Sequence, residues 1–224
     1  MEDWCAAIRR PQETLASATT RFNTFVPSPD LFGAGSPVTP TKVYIVRPCY
    51  VDLAEEILPL LNVKASESSR PRAANAGVYG TPGVGKSIFA SWLVSVIGAS
   101  SPGSTIFYFS GSLRENHGLQ FGPDGSVLLL SSEVIADRLY HLDHYGNELV
   151  WLVADGIKPS FGLPQPYRNL RVIVVHSANL EKLKWLHEWD KRPDLRTFLM
   201  PPFSEEEISK AAAARRPVQV GSFA

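Results

Sequence analysis

Eight residues, Gly80-Thr81-Pro82-Gly83-Val84-Gly85-Lys86-Ser87, match G-x-x-x-x-G-K-[ST] at every fixed position. This pattern constrains the fold more than any other feature, because the loop works only between an entering strand and a departing helix. Glycines let the backbone adopt conformations closed to other residues and approach a ligand closely. Successive N–H groups in such a turn form an anion-binding nest, and the following helix adds the positive end of its dipole. The expected ligand is a nucleoside triphosphate. Lys86 is placed to reach the β- and γ-phosphates, and the Ser87 hydroxyl to ligate Mg²⁺. With Ile88 as the next residue of the helix, the expected binding stretch is Gly80, Thr81, Pro82, Gly83, Val84, Gly85, Lys86, Ser87 and Ile88.

The flanking sequence reads as an α/β domain. Strands are expected at 76–79, 105–109, 127–130, 149–154, 171–175 and 197–200, and helices at 87–97, 132–141, 180–189 and 204–214. Gly77 interrupts the strand that enters the loop. In the first helix Ile88, Phe89, Leu93, Val96 and Ile97 form an apolar face, with Ser91 and Trp92 elsewhere on the turn. Near-continuous apolar strands such as Leu149–Ala154 indicate a parallel sheet buried on both faces, and strand–helix alternation indicates βαβ units. The expected fold is therefore a P-loop NTPase three-layer sandwich around a mostly parallel sheet, over residues 76–214. Ahead of it lie an irregular segment at 1–41 and an entry at 42–75, with a strand at 42–46 and a helix at 50–61 that Pro59 should kink or end. Residues 215–224 form a tail. Ser204 and Glu207 have the spacing of a capping box for the last helix.

A phosphate loop needs an acid to hold Mg²⁺ or its water shell, expected on a neighbouring strand. Asp155 ends the most apolar strand, and ligands of parallel sheets sit at the carboxyl ends of strands. Lys86 and Asp155 are therefore the candidate catalytic residues, and Ser87 and Asp155 the candidate metal ligands. The residue after Asp155 is Gly156, where many ATPases carry a water-activating Glu. Glu115 and Glu133 are alternative bases, and Ser177 and Asn179 alternative γ-phosphate sensors, Asn179 serving equally as a helix cap. Arg168, Arg171, Arg192, Arg215 and Arg216 are equivalent candidates for an arginine finger.

Composition closes several other routes. Formal net charge is zero, with 22 basic and 22 acidic residues, which argues against a free-standing nucleic-acid binder. Cys5 and Cys49 form neither a metal pair nor a disulfide framework. No apolar run approaches the length of a membrane span, and the first residues lack an apolar signal core, so an intracellular protein, cytoplasmic or nuclear, is expected. Asp143-His144-Tyr145-Gly146 matches a short GTPase pattern, but no N-K-x-D element follows, which favours ATP over GTP. His141 and His144 read as a helix surface rather than a zinc site, and Trp185 and Trp189 as core.

Several phrases together resemble a known family. The runs VYGTPGVGKSIFASWLV, WLVADGIKP, VIVVHSAN and FLMPPFSEEEI, preceded by Ile45-Val46-Arg47-Pro48-Cys49-Tyr50, are similar to the NTPase module of Crinkler effectors and retrotransposon hot spot proteins, over roughly residues 42–210. The resemblance implies an ATP-binding module with Asp155 as its Walker-B-type acid. For Crinklers it further implies secretion by an oomycete or fungus and action in a host nucleus. The Leu-Phe-Leu-Ala-Lys translocation motif and a nuclease-type E-x-K pattern are not found, so DNA cleavage is not expected. Two functions remain open: a Mg²⁺-dependent ATPase or nucleotide switch, and an interaction protein that binds ATP for structure, with an unidentified protein partner compatible with either.

Overall fold

Successive side chains on a strand point to opposite faces of its sheet, so a strand that is apolar throughout must be covered twice. That condition shapes this molecule. The computed structural model describes residues 24–25, 44–61, 75–110, 113, 116–146, 148–156, 169–177 and 195–214. A two-residue antiparallel pair, β1 (Thr24–Phe25) with β2 (Tyr44–Ile45), precedes helix α1 (Pro48–Leu61). The main sheet is built from β3 (Asn75–Gly80), β4 (Thr105–Ser110), β5 (His117–Phe121), β6 (Val127–Ser131), β7 (Val150–Asp155), β8 (Leu170–Ser177) and β9 (Leu195–Leu199). Their spatial order is β6-β5-β4-β7-β8-β3-β9. All neighbours from β4 to β9 are parallel, and β5 runs antiparallel to both β4 and β6. The other helices are α2 (Lys86–Ser100), α3 (Ser132–Tyr145) and α4 (Glu205–Ala214).

Two cores lie on opposite sides of the sheet. Ile106, Tyr108, Trp151, Val153, Ile173 and Val175 join α1 and α2 on one side. Phe107, Phe109, Val150, Leu152, Ala154, Val172 and Val174 join Ile135 and Leu139 of α3 on the other. The result is a three-layer α/β sandwich with a mostly parallel sheet, as the strand–helix alternation predicts.

Helix α2 departs from the amphipathic expectation. Every residue from Phe89 to Ala99 is buried, Ser91 and Trp92 included. The sheet covers one side of α2 and α1 the other, with the Tyr50 ring centroid 5.3 Å from that of Phe89 and 6.0 Å from that of Trp92. Pro59 does not end α1, which runs two residues further to Leu61. Of the expected strand at 42–46, Tyr44–Ile45 is strand, and residues 42–43 lie outside the described residues.

Strand β5 escapes sequence reading because it is short and carries His117, Gly118 and Gln120 among its five residues. Gly118 has a packing reason: an added Cβ would stand 2.9 Å from both Ile135 and Phe109, where α3 crosses the sheet. The Gly122–Gly125 turn then leads into β6. Helix α3 runs four residues beyond its expected end, so His141 and His144 share its exposed surface, and Gly146 caps it. The D-x-x-G match is thus a helix terminus. The His144 ring stacks on Tyr140 at 4.2 Å, and among the described residues no group of His, Cys, Asp or Glu has metal-site geometry. No helix among them is long and apolar enough to cross a membrane.

Candidate functional site

The loop leaves the carboxyl end of β3 and enters α2 with little freedom. Gly83 and Gly85 hold φ of 84° and 89°, in the left-handed region where an L side chain is strained. Space differs between the two. A Cβ on Gly83 would meet nothing within 4 Å, whereas one on Gly85 would stand 2.3 Å from the Tyr50 hydroxyl oxygen. Gly80 is also confined, since its Cβ would lie 2.9 Å from Val84 and 3.1 Å from the Met200 carbonyl oxygen. Thr81, Pro82, Gly83 and Ser87 are exposed, Gly85, Lys86 and Ile88 half-buried, and Val84 is buried under the loop. Gly85→Ala combines positive φ with a clash, so a stability loss of about 2 kcal/mol is expected, measured by chemical denaturation. Adding Tyr50→Phe should return part of that loss, because it removes the clashing oxygen and leaves the φ strain.

Lys86 folds back over the loop. Its ammonium donates to the carbonyl oxygens of Gly80 at 2.9 Å and Thr81 at 2.6 Å. Burial lowers its pKa, and the negative charge of Asp155 opposes that shift.

Asp155 ends β7 and is 6% exposed. It does not neighbour the loop's strand as the sequence argument supposed, because β8 lies between β7 and β3. The carboxylate nonetheless belongs to the loop site, close enough to the Ser87 hydroxyl and the Lys86 ammonium for both to favour its charged form. Burial raises the Asp155 pKa, while the nearby Ser87 and Ser110 hydroxyls and the Lys86 charge counteract the rise. Ser110 ends β4 in register with Asp155 and donates to its Oδ2 at 3.3 Å. Beneath them, the hydroxyls of Ser91 and Tyr108 lie 3.4 Å apart, and Ser91 donates to the Ser87 carbonyl at 3.1 Å. Hydroxyl groups therefore support the site from below. Gly156 follows β7 at φ 69°, donating its N–H to the Val175 carbonyl at 2.8 Å.

Mg²⁺ prefers oxygen donors and is commonly held by one or two protein groups plus phosphate and water. A buried carboxylate beside the Ser87 hydroxyl fits that demand. Ser177 ends β8 in register with Gly80, which keeps it at the loop. Glu133 does not belong to the site: it is exposed in the first turn of α3, next to edge strand β6, three strands from β7. Arg171 is also removed from it, being buried with its Nε donating to the Leu61 carbonyl. Glu115, Asn179, Arg168, Arg192, Arg215, Arg216, Trp185, Trp189 and the helix at 180–189 lie outside the described residues.

One site-building residue has no motif to announce it. Arg47 is 4% exposed, just ahead of α1. Its Nη1 donates to the Val84 carbonyl of the loop at 2.7 Å. Its Nη2 reaches the Pro201 and Pro202 carbonyls at 3.2 and 2.9 Å. Nε and Nη2 grip the two Glu207 carboxylate oxygens at 2.9 and 3.1 Å. Tyr50, one turn on, donates to the Gly85 carbonyl at 2.7 Å. The expected capping box is present: Glu207 accepts from the Ser204 N–H at 2.8 Å, and Ser204 Oγ accepts from the Glu207 N–H at 3.1 Å. Glu207 therefore both caps α4 and anchors Arg47. The sequence signal available was an Arg directly before the Pro of Arg47-Pro48.

The Arg47 contact holds the Glu207 pKa down at about 2, from an ordinary 4.5. A depressed carboxylate contributes stability above its unfolded pKa and loses it as pH falls through the folded one. Thermal stability should therefore fall between pH 4.5 and 2 more steeply in wild type than in Glu207→Gln. Parallel melting curves across that window measure the difference.

No family model matches the chain, and no curated protein matches it. Among solved structures, one titled "Structure of C. elegans PCH-2" is similar with a TM-score of 0.40 at 14% identity, over 74% of this chain and 48% of that one. The chain thus spans about half the length of that neighbour's chain.

Proposed function

We propose that this protein binds ATP with Mg²⁺ on the Gly80–Ser87 loop and acts as a nucleotide switch with ATPase activity. The observation that carries the reading is the meeting of Asp155 with Ser87 and Lys86 across an intervening strand. A Gly-rich turn without a ligand has no use for a buried carboxylate beside it, held by the Ser110 hydroxyl.

Lys86 exchanges its bonds to two neutral carbonyls for bonds to phosphate oxygens. Charge-assisted hydrogen bonds are roughly twice as strong as neutral ones, which favours the exchange. Loop N–H groups and the α2 N-terminus hold the remaining phosphate charge. Ser87 and Asp155 would hold Mg²⁺, which neutralises charge on the β- and γ-phosphates when bound. The Ser110 hydrogen bond keeps the Asp155 carboxylate oriented. The phrases shared with the Crinkler-type module support a role of that effector class.

A second reading, ATP bound without fast turnover, is favoured by Gly156, which stands where a water-activating carboxylate would. Phosphate release with and without Mg²⁺, in wild type and Asp155→Asn, separates the two. The ATPase reading expects Mg²⁺-dependent release that falls at least a hundredfold in the variant. Binding with no release in wild type selects the second reading, and release unaffected by Asp155→Asn contradicts the assigned role of that residue.

A further inference from the structure

The Arg47 hub holds one group whose exposure it does not explain. Phe203 lies between Pro201-Pro202 and the Ser204 cap, and it keeps 41% of its surface exposed. The Arg47 guanidinium sits 4.0 Å from the centre of its ring. That guanidinium is fixed by the Val84, Pro201 and Pro202 carbonyls and by Glu207. The same ring comes within 3.8 Å of the point where a Gly85 Cβ would stand. An exposed aromatic ring on a rigid cationic backing thus borders the phosphate loop one residue before Lys86. A scattered surface Phe needs no explanation, but this one adjoins a loop shaped for phosphate.

We propose that Phe203, backed by Arg47, is the stacking shelf for the base of the nucleotide whose phosphates the loop holds. The proposal rests on the phosphate-loop reading. A shelf already held in place costs little to order on binding. Aromatic stacking tolerates any base, since every base has a π-face. The shelf therefore recognises a purine or pyrimidine nucleotide as a planar ligand and does not select among bases by hydrogen bonding.

The test is calorimetric binding of ATP, GTP and inorganic tripolyphosphate to wild type, Phe203→Ala, Phe203→Tyr and Lys86→Ala, each checked for a cooperative melt. Wild type should bind ATP more tightly than tripolyphosphate. Phe203→Ala should weaken ATP and GTP alike by about tenfold and leave tripolyphosphate unchanged. Phe203→Tyr should retain wild-type affinities, and Lys86→Ala should lose all three ligands. Equal wild-type affinity for ATP and tripolyphosphate would overturn the shelf and leave the loop standing. Parallel losses of ATP and tripolyphosphate in Phe203→Ala would also overturn it, by showing that the ring only supports Arg47. Wild type binding none of the three would overturn both readings.

Discussion

Lys86→Ala is expected to weaken ATP binding at least a hundredfold while the protein stays folded. The ammonium is the loop's cation, and its partners are the carbonyls of Gly80 and Thr81. Losing charge-assisted bonds to two phosphates costs about 3 kcal/mol or more, which is roughly a hundredfold in affinity. The cost to the unliganded fold is smaller. Lys86 is half-buried, and burial already disfavours its charge, so removing it relieves desolvation as well as deleting two bonds. Titration calorimetry beside a denaturation curve measures both quantities. Undiminished ATP affinity in the variant would remove the lysine from the binding mechanism.

The second large effect belongs to Arg47. Arg47→Ala deletes contacts to the loop, to the Pro201-Pro202 segment and to α4 at once, leaving the buried Val84 carbonyl without its donor. A loss on the order of 3 kcal/mol is expected, near the low end for a buried ion pair broken from one side, because Glu207 is partly solvated. Arg47→Lys should recover little of it, since an ammonium lacks the planar fork that engages two carboxylate oxygens and several carbonyls together. Urea denaturation of both variants gives these values. Function should fall with stability: Val84 and Gly85 are held from beneath by Arg47 and Tyr50, so a loosened loop should bind nucleotide less well even where the fold survives.

The legible parts of this structure were those with local causes. Glycine spacing gave the loop, apolar runs gave the parallel strands, and Ser204 with Glu207 gave the α4 cap. Asp155 was found because its strand ends in a carboxylate, although its separation from β3 depends on strand order, which is a non-local property. The hairpin strand β5 was hidden by its polar residues and by a glycine whose cause is a helix crossing above it. The burial of α2 on all sides was hidden because α1, over 30 residues earlier, supplies the second cover. Arg47 stands within a family-like phrase, but its partners lie 37 to 160 residues away, and no periodicity joins such positions. Ser110 likewise acquires its role only when β4 is laid beside β7.

The central claim is that the Gly80–Ser87 loop and Asp155 form one nucleotide–metal site. Its most direct test is the melting temperature of wild type with ATP alone, with Mg²⁺ alone and with both. Ligands that bind the native state stabilise it by about 2.7 kcal/mol at a hundredfold excess over Kd. An upward shift of several degrees is expected with Mg²⁺ and ATP together, larger than with either alone. An unchanged melting temperature with saturating Mg²⁺-ATP, in protein that melts cooperatively, would contradict it.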